Sequence, residues 1–513
     1  MVTTRLEEAR GDGRSPRLLF FGIDGADDGL VRRLVGEGRM PALGRLIERG
    51  ASGPLRSTFP PHTAPAWTSI FTGVRPGEHG IYQFWETQSP MYRPRVLGSG
   101  DWRWEPVWRS LERHGLRVGV VNVPMTHPPV ALTGGFMISW PLARTIHYAS
   151  PPELIRELAA SGAHYHSDLV TMYRGQEDYP RLAAEYVEGR TTAVLHLLRS
   201  RPVDALFVVY SEVDRVSHHF WGDGEAPRDE VLGAYELVDA ALAEVVDAVP
   251  DDCFVVVASD HGFGRCSANL QVNELLEQAG LCATKLVAEV GHDGSPRTEL
   301  DVDATAGWFT SSSRYVRTID WERTRAYMPA PGCFGINFNL RGRQQAGCVD
   351  EAETAAVVAA VEEAVASTAT AARPALSVVP REDVYQGRSA DAAPDLLLVP
   401  GPWDVMPHPG LAGELWSAPT QEAIHRTDGI LTLHGTGVAG GALRSDAGVE
   451  DVTPTLLALL DLPIQEGVDG RPLIGDGAYE VEPRQRVDVE VGSALSADDE
   501  KLVESRLRKM GYV

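Results

Sequence analysis

Apolar residues fall along this chain in two rhythms. Short, nearly unbroken runs rich in Val, Ile, Leu and Phe occur at RLLFFGID (17–24), RVGVVNVP (117–124), GGFMISW (134–140), DALFVVYSE (204–212), CFVVVASD (253–260), DLLLVPG (395–401) and GILTLHG (429–435). Runs of that length without polar alternation read as buried parallel strands. Between many of them, MPALGRLIERGA, EPVWRSLERHG, YPRLAAEYVEGRTTAVLHLLRS and DEVLGAYELVDAALAEVVDAV set apolar residues at helical spacing. The alternation predicts an α/β fold: a doubly wound, mostly parallel sheet with helices on both faces. In such sheets ligands bind in the crevice outside the carboxyl ends of the strands.

The rhythm weakens between DHGFGR and RTDGIL, where residues 276–330 mix Gly, Thr, Ser and charge before AAVVAAVEEAVAS supplies another long helix. The expected organisation is a flexible segment over 1–16, a first core part over 17–275, an insertion or cap region over 276–380, a second core part over 381–477 and a tail over 478–513. Within the tail, SADDEKLVESRLRKMGYV predicts an amphipathic helix that packs against the body or makes a homodimer contact.

A chain of 513 residues, 43% hydrophobic and 23% charged, is long enough for a large core. Its net charge of -24 and pI near 5.0 repel nucleic acid polymers and anionic membrane surfaces, which leaves a small anion as the expected partner. Cys253, Cys266, Cys282, Cys333 and Cys348 show no C-x-x-C spacing and are odd in number, which argues against a disulfide framework or a thiolate zinc site. The opening MVTTRLEEARGDGRSPR lacks the apolar stretch of a signal peptide, and no later segment approaches a bilayer-spanning length. A soluble, cytoplasmic protein is expected.

Three of the strand candidates end in aspartate: Asp24, Asp214 and Asp260. In a parallel sheet their carboxylates converge at one edge. Asp214 is followed four positions later by His218, a spacing that points both side chains the same way on a helical turn, with His219 as a competing candidate. His261 directly follows Asp260. Mixed oxygen and imidazole donors suit zinc, and also manganese or iron, better than magnesium or calcium. A strand-end aspartate is equally a turn former or a helix cap. The segment STFPPHTAPAWTSIFTG (57–73) sets Thr63 where a helix N-cap belongs, with Pro65 in the first turn and Gly73 as the stop. A hydroxyl there caps the helix, and it also sits where the positive helix end attracts anions.

In order along nearly the whole chain, GIDGAD, FPPHTAPAWTSIFTGVRPGEHGI, EVDRVSHH, SDHGFG and HRTDGIL resemble the alkaline phosphatase superfamily, and within it the type I phosphodiesterase/nucleotide pyrophosphatase branch. The resemblance implies an alkaline-phosphatase-like fold with two divalent metal ions, zinc first and manganese second. Asp214, His218 and His425 would hold one ion, and Asp24, Asp260, His261 and the Thr63 oxygen the other. It further implies that Thr63 attacks phosphorus and forms a covalent phospho-threonine, so that a phosphodiester or pyrophosphate bond of a small, nucleotide-like substrate is hydrolysed. A phosphonoacetate hydrolase, a phosphomutase and a phosphoryl or sulfamoyl transferase are the alternatives. The chain departs from the family at His62 and Phe84, where related enzymes carry a lysine and a phosphate-contacting asparagine; His62, Gln83 and Asn122 are candidate replacements. His434 in HGTG rivals His425 for the last ligand position. Tyr82, Trp85, Trp102, Trp104 and Trp140 are available to stack on a base or to fill the core, and Arg341 and Arg343 to meet a second phosphate or to form surface ion pairs.

Overall fold

A computed structural model describes residues 15–487 apart from 93, 142–146, 167–177, 225, 289–297, 304–307, 314, 371, 372, 374, 402, 412, 476–478 and 486. The expected C-terminal helix, and the expected N-terminal segment apart from residues 15 and 16, lie outside the described residues.

Leu18–Ile23 is the centre of a nine-stranded sheet, because an apolar run that alternates its side chains to two faces needs a cover on each. Leu18 and Phe20 enter one core with the helices Thr63–Thr72, Val107–Arg113 and Val452–Leu459. Leu19, Phe21 and Ile23 enter a second core with the helices Asp28–Gly36, Pro41–Arg49, Tyr179–Ser200 and Asp229–Asp247. The sheet order is Gly441–Ala442, Ala51–Arg56, Asp428–His434, Phe254–Ala258, Leu18–Ile23, Ala205–Tyr210, Val118–Val123, Phe136–Ser139, Ala149–Ser150. The doubly wound, mostly parallel architecture is as expected.

Two of the seven strand readings need correction. GILTLHG forms Asp428–His434, but it runs antiparallel to Phe254–Ala258 and to Ala51–Arg56, a strand with no apolar run of its own. DLLLVPG supplies Leu396–Val399, which lies outside the main sheet and pairs antiparallel with Gly335–Phe338 and Ser377–Pro380 over a third, smaller core. A short apolar run carries no record of its partners, since burial on both faces looks the same in any sheet. Among the described residues, no helix is long and apolar enough to cross a membrane.

Close packing at the sheet centre sets where the site begins. A Cβ on Gly22 would meet the Trp67 ring at 2.6 Å and Val209 at 2.8 Å, so bare backbone here lets the indole lie against the strand. On the opposite face, Arg190 from the long helix donates to both carboxylate oxygens of Glu212 at 2.6 and 2.9 Å, with both side chains buried. Glu212 opens the helix Glu212–Phe220, and this ion pair pins the helix that carries Asp214 and His218. Removing one partner leaves an uncompensated buried charge. Arg190→Met should therefore destabilise the fold by about 3–5 kcal/mol, read from urea unfolding, and a second change, Glu212→Leu, should restore much of the loss. Equal unfolding midpoints for wild type and Arg190→Met would contradict the pinning role.

Candidate functional site

Three neighbouring parallel strands end together. Ile23 is in register with Tyr210 and Gly22 with Ala258, so the residues that follow them leave the sheet at one edge. Asp24 leaves directly from its strand, Asp214 from the first turn of Glu212–Phe220, and Asp260 and His261 from the loop after Phe254–Ala258. The Asp24 N–H donates to the Tyr210 carbonyl at 2.9 Å, and the Asp214 N–H donates to the Asp24 carbonyl at 3.0 Å, locking two of these exits to each other. His425 arrives from elsewhere in the chain, on a short strand, Ala423–Arg426, that pairs antiparallel with Gly262–Arg265. Its ring stacks on that of His261 with centroids 3.7 Å apart.

Thr63 joins this group at the start of its helix, although not as the N-cap. That role belongs to His62, whose Nδ1 accepts the Ala64 N–H at 3.3 Å, while Thr63 is the first helical residue. The imidazole supplies the cap, which leaves the Thr63 hydroxyl to face the aspartates, 3.3 Å from His261 Nε2. All seven expected residues, Asp24, Thr63, Asp214, His218, Asp260, His261 and His425, thus meet in one buried cluster.

Each side chain is oriented from behind. Trp67 Nε1–H donates to Asp24 Oδ2 at 3.0 Å and the Gly25 N–H donates to Asp260 Oδ1 at 3.1 Å. The remaining oxygens, Asp24 Oδ1 and Asp260 Oδ2, and Asp214 Oδ1 with them, are buried with no hydrogen-bond partner. The three histidines each turn Nδ1 to a backbone carbonyl, His218 to Ala423 at 3.0 Å, His261 to Gly262 at 3.1 Å and His425 to Pro61 at 3.0 Å. Nδ1 turned away in this manner points Nε2 toward the carboxylates, where His218 Nε2 and His425 Nε2 also lie 3.0 Å from each other. His218 Nε2 and His425 Nε2 lie 3.4 and 3.3 Å from Asp214 Oδ1, and His261 Nε2 lies 3.2 Å from Asp260 Oδ2 and 3.5 Å from Asp24 Oδ1. Two sets, Asp214 with His261 and His425, and Asp24 with Asp260 and His261, bring their donor atoms within 4.8 Å of one another, the span a metal ion needs.

Burial raises the carboxyl groups of Asp24 and Asp260 well above the usual range, and repulsion from Asp214 on the first and from Asp24 on the second adds to it. Burial lowers His62, His261 and His425 below the ordinary imidazole value, which favours neutral rings. Unpartnered carboxylate oxygens facing neutral imidazole nitrogens are the donor chemistry of a divalent cation site, and the residues fit one.

Most of the rival residues are placed elsewhere or otherwise occupied, whereas Gln83 is buried with its Nε2 unpartnered. His434 closes an antiparallel strand and pairs with Val255, at the opposite edge of the sheet from His425. Asn122 gives its amide to the Val209 carbonyl and Ser211 Oγ. Phe84 sits edge-on to His62 and stacks on Trp140. Tyr82, Trp85, Trp102, Trp104 and Trp140 are all buried among the core residues. Arg343 pairs with Asp395, and Arg341 with Asp350 at the surface. Sequence reasoning missed Trp67, although its place four residues after Thr63 puts it on the same helical face. It also missed Ser259, whose hydroxyl donates to the His261 carbonyl at 2.7 Å and accepts the Ala26 N–H at 2.8 Å.

A family model described as type I phosphodiesterase / nucleotide pyrophosphatase matches residues 18–430, a span that holds all seven clustered residues. Human ectonucleotide pyrophosphatase/phosphodiesterase family member 1 is 24% identical over 284 residues, which covers 51% of this chain and about a quarter (25%) of the human protein's length. An inactive variant of murine ectonucleotide pyrophosphatase / phosphodiesterase 5 in complex with AMP superposes with a TM-score of 0.53 at 13% identity, covering 87% of this chain and 95% of that one. Phosphonoacetate hydrolase from Sinorhizobium meliloti 1021 in complex with phosphonoacetate superposes with a TM-score of 0.55 at 18% identity, covering 88% of this chain and 98% of that one. At these identities the two superpositions speak for the fold.

Countercharge should relieve the crowding of Asp24, Asp214 and Asp260. Zinc or manganese added to chelated protein should raise its thermal midpoint, by about 2.7 kcal/mol of stability at a hundred times the dissociation constant. Asp24→Asn should remove most of that increment. Trp67→Phe, which keeps the ring but not the donor, should weaken metal affinity about 10–100-fold. A wild-type midpoint indifferent to metal would contradict the assignment.

Proposed function

The chain belongs to the type I phosphodiesterase/nucleotide pyrophosphatase family, and from that premise we propose that it hydrolyses a phosphodiester or pyrophosphate bond of a small, nucleotide-like substrate, with Thr63 as nucleophile and two divalent metal ions. The observation that carries the reading is the buried Thr63 hydroxyl, spared from capping by His62 and 3.3 Å from His261 Nε2, which itself lies near three carboxylates that each keep an unpartnered oxygen. Asp214, His218 and His425 would hold one ion and Asp24, Asp260, His261 and Thr63 the other, with zinc the best match to these donors and manganese next. His261 stands within reach of both groups. Bound there, the ions would lower the pKa of a hydroxyl and offset charge on the phosphoryl group.

The chain's own residues then have defined work. Thr63 Oγ1, giving up its proton, attacks phosphorus in line as the opposite P–O bond breaks, which forms a phospho-threonine and releases the leaving oxygen to take up a proton. Water next attacks phosphorus, the bond to Thr63 Oγ1 breaks, and the hydroxyl is restored. The Thr63 N–H, as the first amide of the helix, has no acceptor within that helix and sits at its positive end, placed to donate to a phosphoryl oxygen. Trp67 and the Gly25 N–H keep Asp24 and Asp260 aimed inward throughout. Five cysteines that form no disulfide, four of them buried, support a reducing compartment such as the cytoplasm.

Metal analysis of the purified protein, paired with hydrolysis of bis-p-nitrophenyl phosphate and p-nitrophenyl phosphate, tests this reading. About two equivalents of zinc or manganese and a preference for the diester are expected. Thr63→Ala should lose at least about a thousandfold in kcat while retaining its fold. Bound metal with neither ester cleaved would overturn the hydrolytic reading, and absence of metal would overturn the whole proposal.

A further inference from the structure

A second cavity, of about 180 Å³, has walls that include Glu86, Tyr92, Trp321, Tyr327 and Met328. An apolar cavity of roughly 150 Å³ already admits benzene, so this one has room for a single ring or a trimethylammonium group. Three segments tie it to the surroundings of Thr63. Phe84 sits edge-on to His62 with centroids 4.9 Å apart, a Cβ on Gly332 would come within 3.2 Å of His62 Nε2, and Met406 shares a small hollow with His62 and His425. Two residues after Phe84, three before Gly332 and three after Met406, the same segments supply Glu86, Pro329 and Pro409 to the cavity wall. Each offset spans at most roughly 10 Å of chain. One ligand of modest length can therefore occupy both places.

The lining states what it would accept. Tyr92 stacks face to face on Trp321 with centroids 3.9 Å apart, and Tyr327 stands perpendicular to Trp321 at 4.9 Å, so the three rings form one wall. The wall is fixed in place, because the Tyr92 O–H donates to Asn339 Oδ1 at 2.7 Å and its oxygen accepts the Ala346 N–H at 3.1 Å. Asn273 is spent, its amide donating to the Met328 and Pro409 carbonyls and its oxygen accepting the Met328 N–H. Thr87 is spent on the Ala392 carbonyl. Glu86 is not: its N–H donates to the Arg95 carbonyl at 2.9 Å, but its carboxylate enters no hydrogen bond or ion pair among the described residues. The lining holds no Lys, Arg or His to answer that charge. Ring faces attract cations, and a half-buried carboxylate without a partner needs one. A metal ion would find too few oxygens here, whereas an organic cation brings apolar surface as well as charge.

We propose that this cavity binds an alkylammonium group, held by Glu86 and the aromatic wall, and that the group belongs to the substrate. The binding site stands on its own lining; its use by the substrate rests on the hydrolytic reading above and narrows it to esters that carry a cation on the order of 10 Å from phosphorus.

Calorimetry on the zinc-loaded protein tests the site with tetramethylammonium, and with tert-butanol as an uncharged counterpart of similar shape. Tetramethylammonium should bind at least about fivefold more tightly. Glu86→Gln, which keeps the volume and removes the charge, and Trp321→Leu, which removes the ring, should each weaken that binding about three- to thirtyfold, while metal content and affinity for inorganic phosphate stay as they were. In turnover, trimethylammoniohexyl p-nitrophenyl phosphate should exceed its analogue with tert-butyl in place of trimethylammonium by at least about fivefold in kcat/KM. Glu86→Gln should erase that difference by raising KM for the charged ester. Equal affinity for tetramethylammonium and tert-butanol, or binding indifferent to both substitutions, would overturn the site. Ammonium binding without a preference between the esters would overturn its use by the substrate. If the wild type cleaves neither ester, the hydrolytic reading fails by itself, and the calorimetric comparison still decides the site.

Discussion

Three carboxylates cannot be buried side by side in water-free surroundings without something to answer their charge, and the site is built around that repulsion. Asp24 and Asp260 are both driven toward the protonated state by burial and by each other or by Asp214. A flexible scaffold would relax by letting them swing apart. Here that relaxation is blocked, because each exits from one of three adjacent parallel strands whose ends are in register, and because the backbones of Asp24 and Asp214 are hydrogen-bonded together. The sheet, buttressed by apolar cores on both faces, stores the crowding. Bound cations would discharge it.

The hydrogen bonds from behind do a second job. One oxygen of Asp24 and one of Asp260 are tied to a donor, and the other is left facing inward. Three imidazoles are held by backbone carbonyls in the orientation that turns Nε2 to the same point. Orientation is thereby settled before any ligand arrives, which is the condition under which electrostatic stabilisation acts without reorganisation. The helix Thr63–Thr72 follows the same economy: its cap comes from His62, its hydroxyl serves the cluster, and its Trp67 reaches back to Asp24.

The position before Thr63 is also where this chain parts from the family pattern it resembles. A neutral ring whose Nδ1 is already committed to a helix amide cannot act as the lysine of related enzymes does. It keeps one buried nitrogen, Nε2, without a hydrogen-bond partner. Phe84, in place of an asparagine, adds an apolar wall beside it.

How much of this was legible beforehand follows from the range of the interactions involved. The alternating apolar runs determined the α/β layering, and a strand-end aspartate followed by His261, or by His218 one helical turn on, determined the candidate ligands, because both depend on spacing within a few residues. Where the partners come from distant segments, spacing is silent. Leu396–Val399 reads as a core strand, yet it belongs to another sheet, since its sequence records burial and not its neighbours. The choice of His425 over His434 rests in the structure on the antiparallel direction of Asp428–His434, which places the two at opposite sheet edges. Thr63 looked like a cap because its neighbour was not considered as one, and only the folded backbone shows His62 Nδ1 against the Ala64 amide. The contacts around His62, Gly332, Phe334 and Gln421 join segments far apart in the chain, and the unpartnered nitrogens of His62 and Gln421 exist only once those segments are packed together. Local pattern decided which atoms were available; tertiary packing decided which of them were left without partners, and that is where binding begins.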